Sequence, residues 1–304
     1  MPSSAIRSEV QPGSLGAWLL AFRPKTLPAA VTPVLLGTAL AAWLGAFSFW
    51  IAGFTMLGAL ALQIASNLAN DLFDFEKGAD GPDRLGPRRM VQSGLLSPRQ
   101  VRLGLIATLA FALVCGAELV RVGGWPIAAV GILSMLAAVA YTAGPYPLGY
   151  HGLGDLFVFL FFGPVAVMGT VYLQLKAVPM TAFWTSLSIG ALSTNILVVN
   201  NLRDLEQDAR SGKLTLVVRF GERFGRAQYG FCLLLGYGIP FGMALFGWGP
   251  LGWLSVVLTL PAALVTWRSL ATTRGRAMNA LLARSAQLLL ANGIVLSLGP
   301  WLTP

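Results

Sequence analysis

Charge is what this sequence has least of. Only 11% of its 304 residues ionise and 56% are hydrophobic, with a mean hydropathy of +0.70. Soluble domains carry roughly 25% charged residues, so the composition excludes a water-borne globule and places the chain in lipid. Histidine and cysteine are nearly missing as well: one His, His151, and two Cys, Cys115 and Cys232. That scarcity excludes a histidine- or thiolate-based metal centre and a disulfide framework. Both cysteines lie in apolar runs and read as small hydrophobes, and His151 reads as a loop residue. Period-two alternation is absent from the long apolar runs, which excludes a membrane barrel and leaves helices.

What is there is a series of runs long enough to cross a bilayer, which takes roughly 20 apolar residues. Nine are expected, at about 27–47, 49–70, 101–120, 125–143, 153–174, 181–201, 228–247, 250–267 and 281–302. The fold class is therefore all-α integral membrane, with 27–304 as one nine-helix domain. Residues 1–26 form a polar N-terminus, without the look of a cleavable signal, and then a short interfacial helix. In that helix Leu15, Trp18, Leu19 and Phe22 fall at helical spacing.

Alternating sides from an inside N-terminus puts nineteen of the 21 Lys and Arg on the cytoplasmic face, with only Arg121 and Lys176 outside. Such a bias fixes orientation. It predicts a cytoplasmic N-terminus and a C-terminus on the opposite side, and the location expected is a bacterial-type inner or plasma membrane. The bias also accounts for most of the net charge of +9, so nucleic acid is not an expected partner.

The acids are not scattered. Asp71, Asp74, Glu76, Asp80 and Asp83 form one cluster, and Asp204, Glu206 and Asp208 another. Asn67 precedes Asp71 by four residues, and the same pair recurs 133 positions later as Asn200 and Asp204. Spacings of three and four place Asn67, Asp71 and Asp74 along one side of a helix. Carboxylates at the rim of an apolar segment need a partner. A divalent cation would satisfy them, and both clusters fall on the cytoplasmic side, so one site built by two helices is expected. Arg84, Arg88 and Arg89 follow the first cluster; Lys213, Arg219 and Arg223 follow the second. Acids for a metal beside cations for phosphate oxygens suit a metal–diphosphate ligand. The plainer alternative is a pair of solvated loops whose charges neutralise one another. A transporter would also place acids between helices, but at the midplane and commonly in inverted repeats, whereas these copies share one face and one orientation. A soluble chain-elongating prenyl synthase, which also uses paired Asp motifs, would lack the lipid-length runs.

NDLFDFEKGAD and NNLRDLEQDARSGK resemble the two Asp-rich motifs of the UbiA superfamily of intramembrane aromatic prenyltransferases. RPKTLPAAVTPVLLG at 23–37, the loop GADGPDRLGPRRMVQSGLLSP, and YTAGPYPLGYHGLGD at 141–155 resemble its menaquinone branch. The likeness runs from about Trp18 to past Gly225. The broad motif's last acid would fall at Gly78, whereas Asp80 comes two residues later and its role stays open. The resemblance implies a UbiA-like bundle with a cytoplasmic-side active site. It implies Mg²⁺-dependent transfer of a polyprenyl group from prenyl diphosphate to 1,4-dihydroxy-2-naphthoate, with decarboxylation, giving a demethylmenaquinone in menaquinone biosynthesis. 4-Hydroxybenzoate is the alternative acceptor, and membrane lipid houses the tail. Asp71, Asp74, Asp204 and Asp208 would hold the metal. Asn67, Asn70, Asn200 and Asn201 would lend amide groups, and Arg88, Arg203 and Lys213 would bind phosphate. Tyr141 is either an acceptor or phosphate contact or an interfacial anchor. Asp155 is expected to pair with Arg23 or Lys25, or else to bind the acceptor.

Overall fold

The computed structural model describes residues 10–78 and 84–302. Residues 1–9, 79–83 and 303–304 lie outside that description, and Arg7, Asp80 and Asp83 with them. Every regular element among the described residues is helical.

The chain enters through α1 (Leu15–Ala21), whose first turn is capped by Ser14 accepting from the Ala17 N–H. Ala17 and Ala21 face protein while Leu15, Leu19 and Leu20 are exposed, the disposition of a helix lying in a membrane interface. A 3₁₀ turn at Pro24–Thr26 bends the chain by 56° into α2 (Pro28–Trp43). α3 (Phe49–Glu76) starts at a Ser48 cap and runs 28 residues, carrying the first acid cluster at its far end. α4 (Pro98–Gly123) opens with a capping box between Ser97 and Gln100 and has proline at its first position, where no N–H is missed. α5 (Trp125–Ala140) follows directly. α6 (Gly154–Leu160) and α7 (Ala166–Leu175) make one span, interrupted by a π turn at Phe161–Val165 that absorbs Pro164.

α8 (Met180–Arg203) stops at Asp204, whose backbone leaves helical geometry (φ −96°, ψ 9°), and α9 (Leu205–Arg210) restarts beyond it. α10 (Leu216–Leu245) breaks at Gly221, where φ is 84°. A 3₁₀ segment, Leu251–Leu258, joins α11 (Leu260–Ser269) at a 41° bend, and α12 (Met278–Leu302) ends the bundle.

Each of the nine apolar runs read from the sequence is helical over most of its length. Among the described residues six helices are long and apolar enough to cross a membrane, and the two bent pairs raise that to eight. α5, at 16 residues, is shorter. α8 is the hub: 72% of its most apolar window is buried, against 17% for α4. It packs on α6, α7, α10 and α12. Its approach to the π turn is close. A Cβ on Gly163 would lie 2.5 Å from the Ser186 carbonyl, and one on Gly190 would lie 2.6 Å from that of Phe159. No other residue fits either place.

A candidate diphosphate site beside an apolar chamber

The ends of α3 and α8 meet the loops around 84–97, 141–153 and 204–215, and between them lies a polar chamber of about 190 Å³. From α3 it is lined by Gln63, Ser66, Asn67, Asn70 and Asp74, and from α8 and α9 by Ser193, Asn200, Asp204, Gln207 and Asp208. Arg23, Arg84, Arg89 and Lys213 supply the cations. The α3 positions fall within one helical stripe, at about 100° per residue.

Each lining acid has a designed neighbour. Asp74 accepts from Arg89 Nη2 at 2.6 Å and from Tyr150 Oη at 2.9 Å. Asp204 is gripped by the guanidinium of the preceding residue, Arg203 Nε at 2.8 Å and Nη2 at 2.6 Å. Arg203 also donates to Asn200 Oδ1 and Asn279 Oδ1, so a residue from the start of α12 braces it. Among the described residues Asp208 has only Lys213 Nζ, at 3.5 Å, and its Oδ2 is buried without a partner there. Burial pushes the Asp208 carboxyl up to about 6; Lys213 opposes the shift, and Asp204 and Asp74 add to it. Asp208 therefore feels carboxylates from both sides of the chamber.

Among the described residues no three acids stand close enough to form an all-protein metal cage. Mg²⁺ does not require one, because it is usually held by one or two carboxylates and completes its shell with water and substrate phosphate. Hard oxygen donors on two facing helices, one of them lacking any partner, fit that mode.

Other expected residues fall differently. Asp71 is 1% exposed and does not line the chamber; its two oxygens accept the Met90 and Val91 N–H groups at 2.8 and 3.1 Å. Three residues are 60° short of a full turn, which rotates it off the stripe that carries Asp74. Arg88 is exposed at the loop surface, whereas its neighbour Arg89 is buried against Asp74. Arg203 is buried behind Asp204 and does not line the chamber, and Asn201 is buried away from it as well. Asn67 turns its amide nitrogen to Phe22 O and Thr26 Oγ1, holding the bend before α2. Asn70 accepts from Thr142 Oγ1 at 3.0 Å. Asp155 pairs with Gln228 Nε2 at 2.9 Å, not with Arg23 or Lys25. His151 stacks on Tyr146, as a loop residue would, and Glu118 pairs with Arg121.

Tyr150 and Asn279 were not legible by spacing. Tyr150 has Lys77 Nζ 4.7 Å above its ring and Lys213 Nζ at 6.0 Å, so it links the two acid clusters through cations.

Against the polar chamber lies a second, apolar one of about 480 Å³, walled by α2 to α7. Gln63, Ser66, Tyr141, Val158 and Phe162 line both. Tyr141 thus stands at the junction of a charged compartment and a greasy one.

Residues 30–293 match the model of the UbiA prenyltransferase family. The chain is 38% identical over 309 aligned positions to the Escherichia coli protein named 1,4-dihydroxy-2-naphthoate octaprenyltransferase, covering 97% of this chain and 98% of that one. Identity to the Mycobacterium tuberculosis protein of the same name is 41%, over 82% of this chain and 86% of that one. Among solved structures, a UbiA homolog from Archaeoglobus fulgidus bound to GPP and Mg²⁺ superposes with a TM-score of 0.64 at 16% identity, covering 92% of this chain and 99% of that one. A UbiA homolog from Aeropyrum pernix does so at 0.66 and 18%, covering 91% and 97%. At such identities the structural likeness speaks for the fold.

Proposed function

The chain belongs to the UbiA prenyltransferase family, and from that membership we propose that it transfers a polyprenyl group from its diphosphate to 1,4-dihydroxy-2-naphthoate, with Mg²⁺ and with loss of CO₂. The product is a prenylated naphthalene-1,4-diol, the reduced (quinol) form of a demethylmenaquinone-type lipid. One observation carries the reading: a chamber of facing acids and cations adjoins, across shared lining residues that include Tyr141, an apolar chamber more than twice its volume. An amphiphile with a diphosphate head and an isoprenoid tail matches both halves. The names of the relatives support the naphthoate acceptor.

Asp74 on one side and Asp204 and Asp208 on the other would supply the carboxylates for Mg²⁺, one or two to an ion, with water and the diphosphate completing the shell. When bound, Mg²⁺ supplies positive charge to the diphosphate as the allylic C–O bond opens. Arg84, Arg89 and Lys213 face the same oxygens and stabilise the charge that grows on the leaving group. The apolar walls beyond Tyr141 keep the allylic cation from water, while Val158 and Phe162 bound the place where it meets the acceptor ring. Attack by the electron-rich carbon that bears the carboxylate, then loss of CO₂, restores aromaticity and makes the step irreversible.

The same proposal sets nine crossings, a cytoplasmic N-terminus, a C-terminus on the opposite face and a cytoplasmic-side site. The placement of nineteen of 21 cations supports it.

The test is an assay of purified protein with Mg²⁺, one prenyl diphosphate and carboxyl-labelled dihydroxynaphthoate, run beside 4-hydroxybenzoate. Label should leave as CO₂ in step with prenyl transfer. Product that retains the label, or preference for 4-hydroxybenzoate, would move the acceptor assignment to another branch of the family.

A further inference from the structure

The loop between α3 and α4 brings Arg84 and Arg89 to the chamber, so something must hold it there. Its centre is a single turn, in which the Ser93 N–H donates to Arg89 O and the Leu96 N–H to Met90 O. The first N–H groups of such a turn have no partner within it. Those groups are Met90 and Val91, which are 1% and 5% exposed, and water cannot serve them. Asp71 does, with one carboxylate oxygen for each. It caps the turn from another helix, as an N-cap side chain would from its own. Around this anchor Met90, Val91, Leu95 and Leu96 pack with Leu68 and Leu72 of α3 and Ala17 and Ala21 of α1. The loop's other flank is fastened by Asn279 Nδ2 donating to Leu85 O at 2.9 Å.

We propose that Asp71 is a positioning residue and not a metal ligand: it clamps the Met90–Val91 turn to α3 so that the adjacent Arg89 reaches Asp74. Its sequence counterpart Asp204 lines the chamber, whereas Asp71 does not. The inference rests on the proposed function only in supposing that the chamber takes a metal and a diphosphate. The anchor itself is tested without either ligand, so failure of one reading is separable from failure of the other.

The experiment is amide hydrogen exchange of the full-length protein in detergent, resolved at Met90 and Val91. In metal-free wild-type protein both amides should already be slow, and adding Mg²⁺ with inorganic pyrophosphate should leave their rates within about twofold. Amides that are fast until Mg²⁺ arrives would overturn the anchor. In Asp71→Asn, whose amide nitrogen confronts one N–H with another donor, both should exchange at least about tenfold faster with or without Mg²⁺. Asp208→Asn, on the facing helix, should leave them at the wild-type rate. Titration with Mg²⁺ alone, in which the loop's phosphate-binding cations play no part, gives the complementary result: the binding midpoint is displaced to higher concentration in Asp208→Asn and held within about twofold of wild type in Asp71→Asn. Wild-type exchange in Asp71→Asn, or a Mg²⁺ midpoint displaced as far as in Asp208→Asn, would return Asp71 to the metal. The wild-type measurement decides the matter even where a variant does not accumulate.

Discussion

The end of α3 and the junction of α8 with α9 share an Asn-x₃-Asp spacing and use it in opposite ways. On the first side Asn67 donates, tying down the bend at Phe22 and Thr26; on the second Asn200 accepts, from Arg203. The first Asp of the pattern turns its carboxylate to loop backbone at position 71, and at position 204 it lines the chamber while accepting from the Arg203 guanidinium buried behind it. The backbone explains the divergence. α3 runs unbroken through its acids to Glu76, so 71 and 74 point in different directions, whereas the break at Asp204 swings Asp204 and Asp208 toward one compartment. The cation for each chamber acid also comes by a different route, from fifteen residues along the loop for Asp74 and from the adjacent residue for Asp204. Equal spacing in a sequence therefore does not guarantee equal roles.

The largest effect that bears on this contrast is on turnover. Asp74→Asn and Asp204→Asn should each lower prenyl transfer by about a hundredfold to a thousandfold or more, since each would take a carboxylate from the proposed Mg²⁺ site and with it the positive charge that the leaving group needs. EDTA should do the same, reversibly. Near-normal turnover in either variant would break the pairing of the two helix ends.

A smaller effect separates the cation routes. Arg89→Ala leaves buried Asp74 with Tyr150 alone, which should cost about 2–3 kcal/mol in a thermal or denaturant melt and raise the KM for prenyl diphosphate. Arg88→Ala, at the exposed neighbouring position, should change neither measurably. Equal effects at 88 and 89 would mean that the loop's charge matters only in bulk.

The smallest concerns Asp208 and pH. Its carboxyl is raised from 3.8 to about 6, so ionisation costs the folded state stability above pH 6, and the cost fades as pH falls toward 4. Metal-free Asp208→Asn should accordingly melt higher than wild type at pH 7, by about 1–2 kcal/mol, and the gap should close between pH 6 and 4. A gap that widens on acidification would mean that Asp208 is stabilised as the anion, and the two sides would then be alike.

Much of this architecture was legible in the sequence. Hydropathy located the nine helical runs because lipid demands long uninterrupted stretches, and the repeated Asn-x₃-Asp pattern pointed to the two helix ends that meet. Helical spacing, however, resolves a face only to about 60°, the angle that separates Asp71 from Asp74. The direction of Asp71 depends on a loop nineteen residues away whose N–H groups it satisfies. Arg88 and Arg89 could not be told apart because a loop has no period. Tyr150 reaches Asp74 across 76 residues, and Asn279 reaches Leu85 across 194, separations over which spacing carries no information.

The apolar chamber has a consequence for how such an enzyme can diversify. Part of its wall comes from α4 and α5, and α4 is the least buried of the long helices. Neither carries a residue of the two acid motifs. Gly116 and Gly131 line that wall, and a Cβ added to either would meet nothing within 4 Å. Larger side chains there would shorten the space for a tail, and smaller neighbours would lengthen it, with the acids and their cations untouched. On the proposed reading, tail length and reaction chemistry would be set by separate residues: substitutions along the α4–α5 wall would alter the one and leave the rim that carries the other as it is.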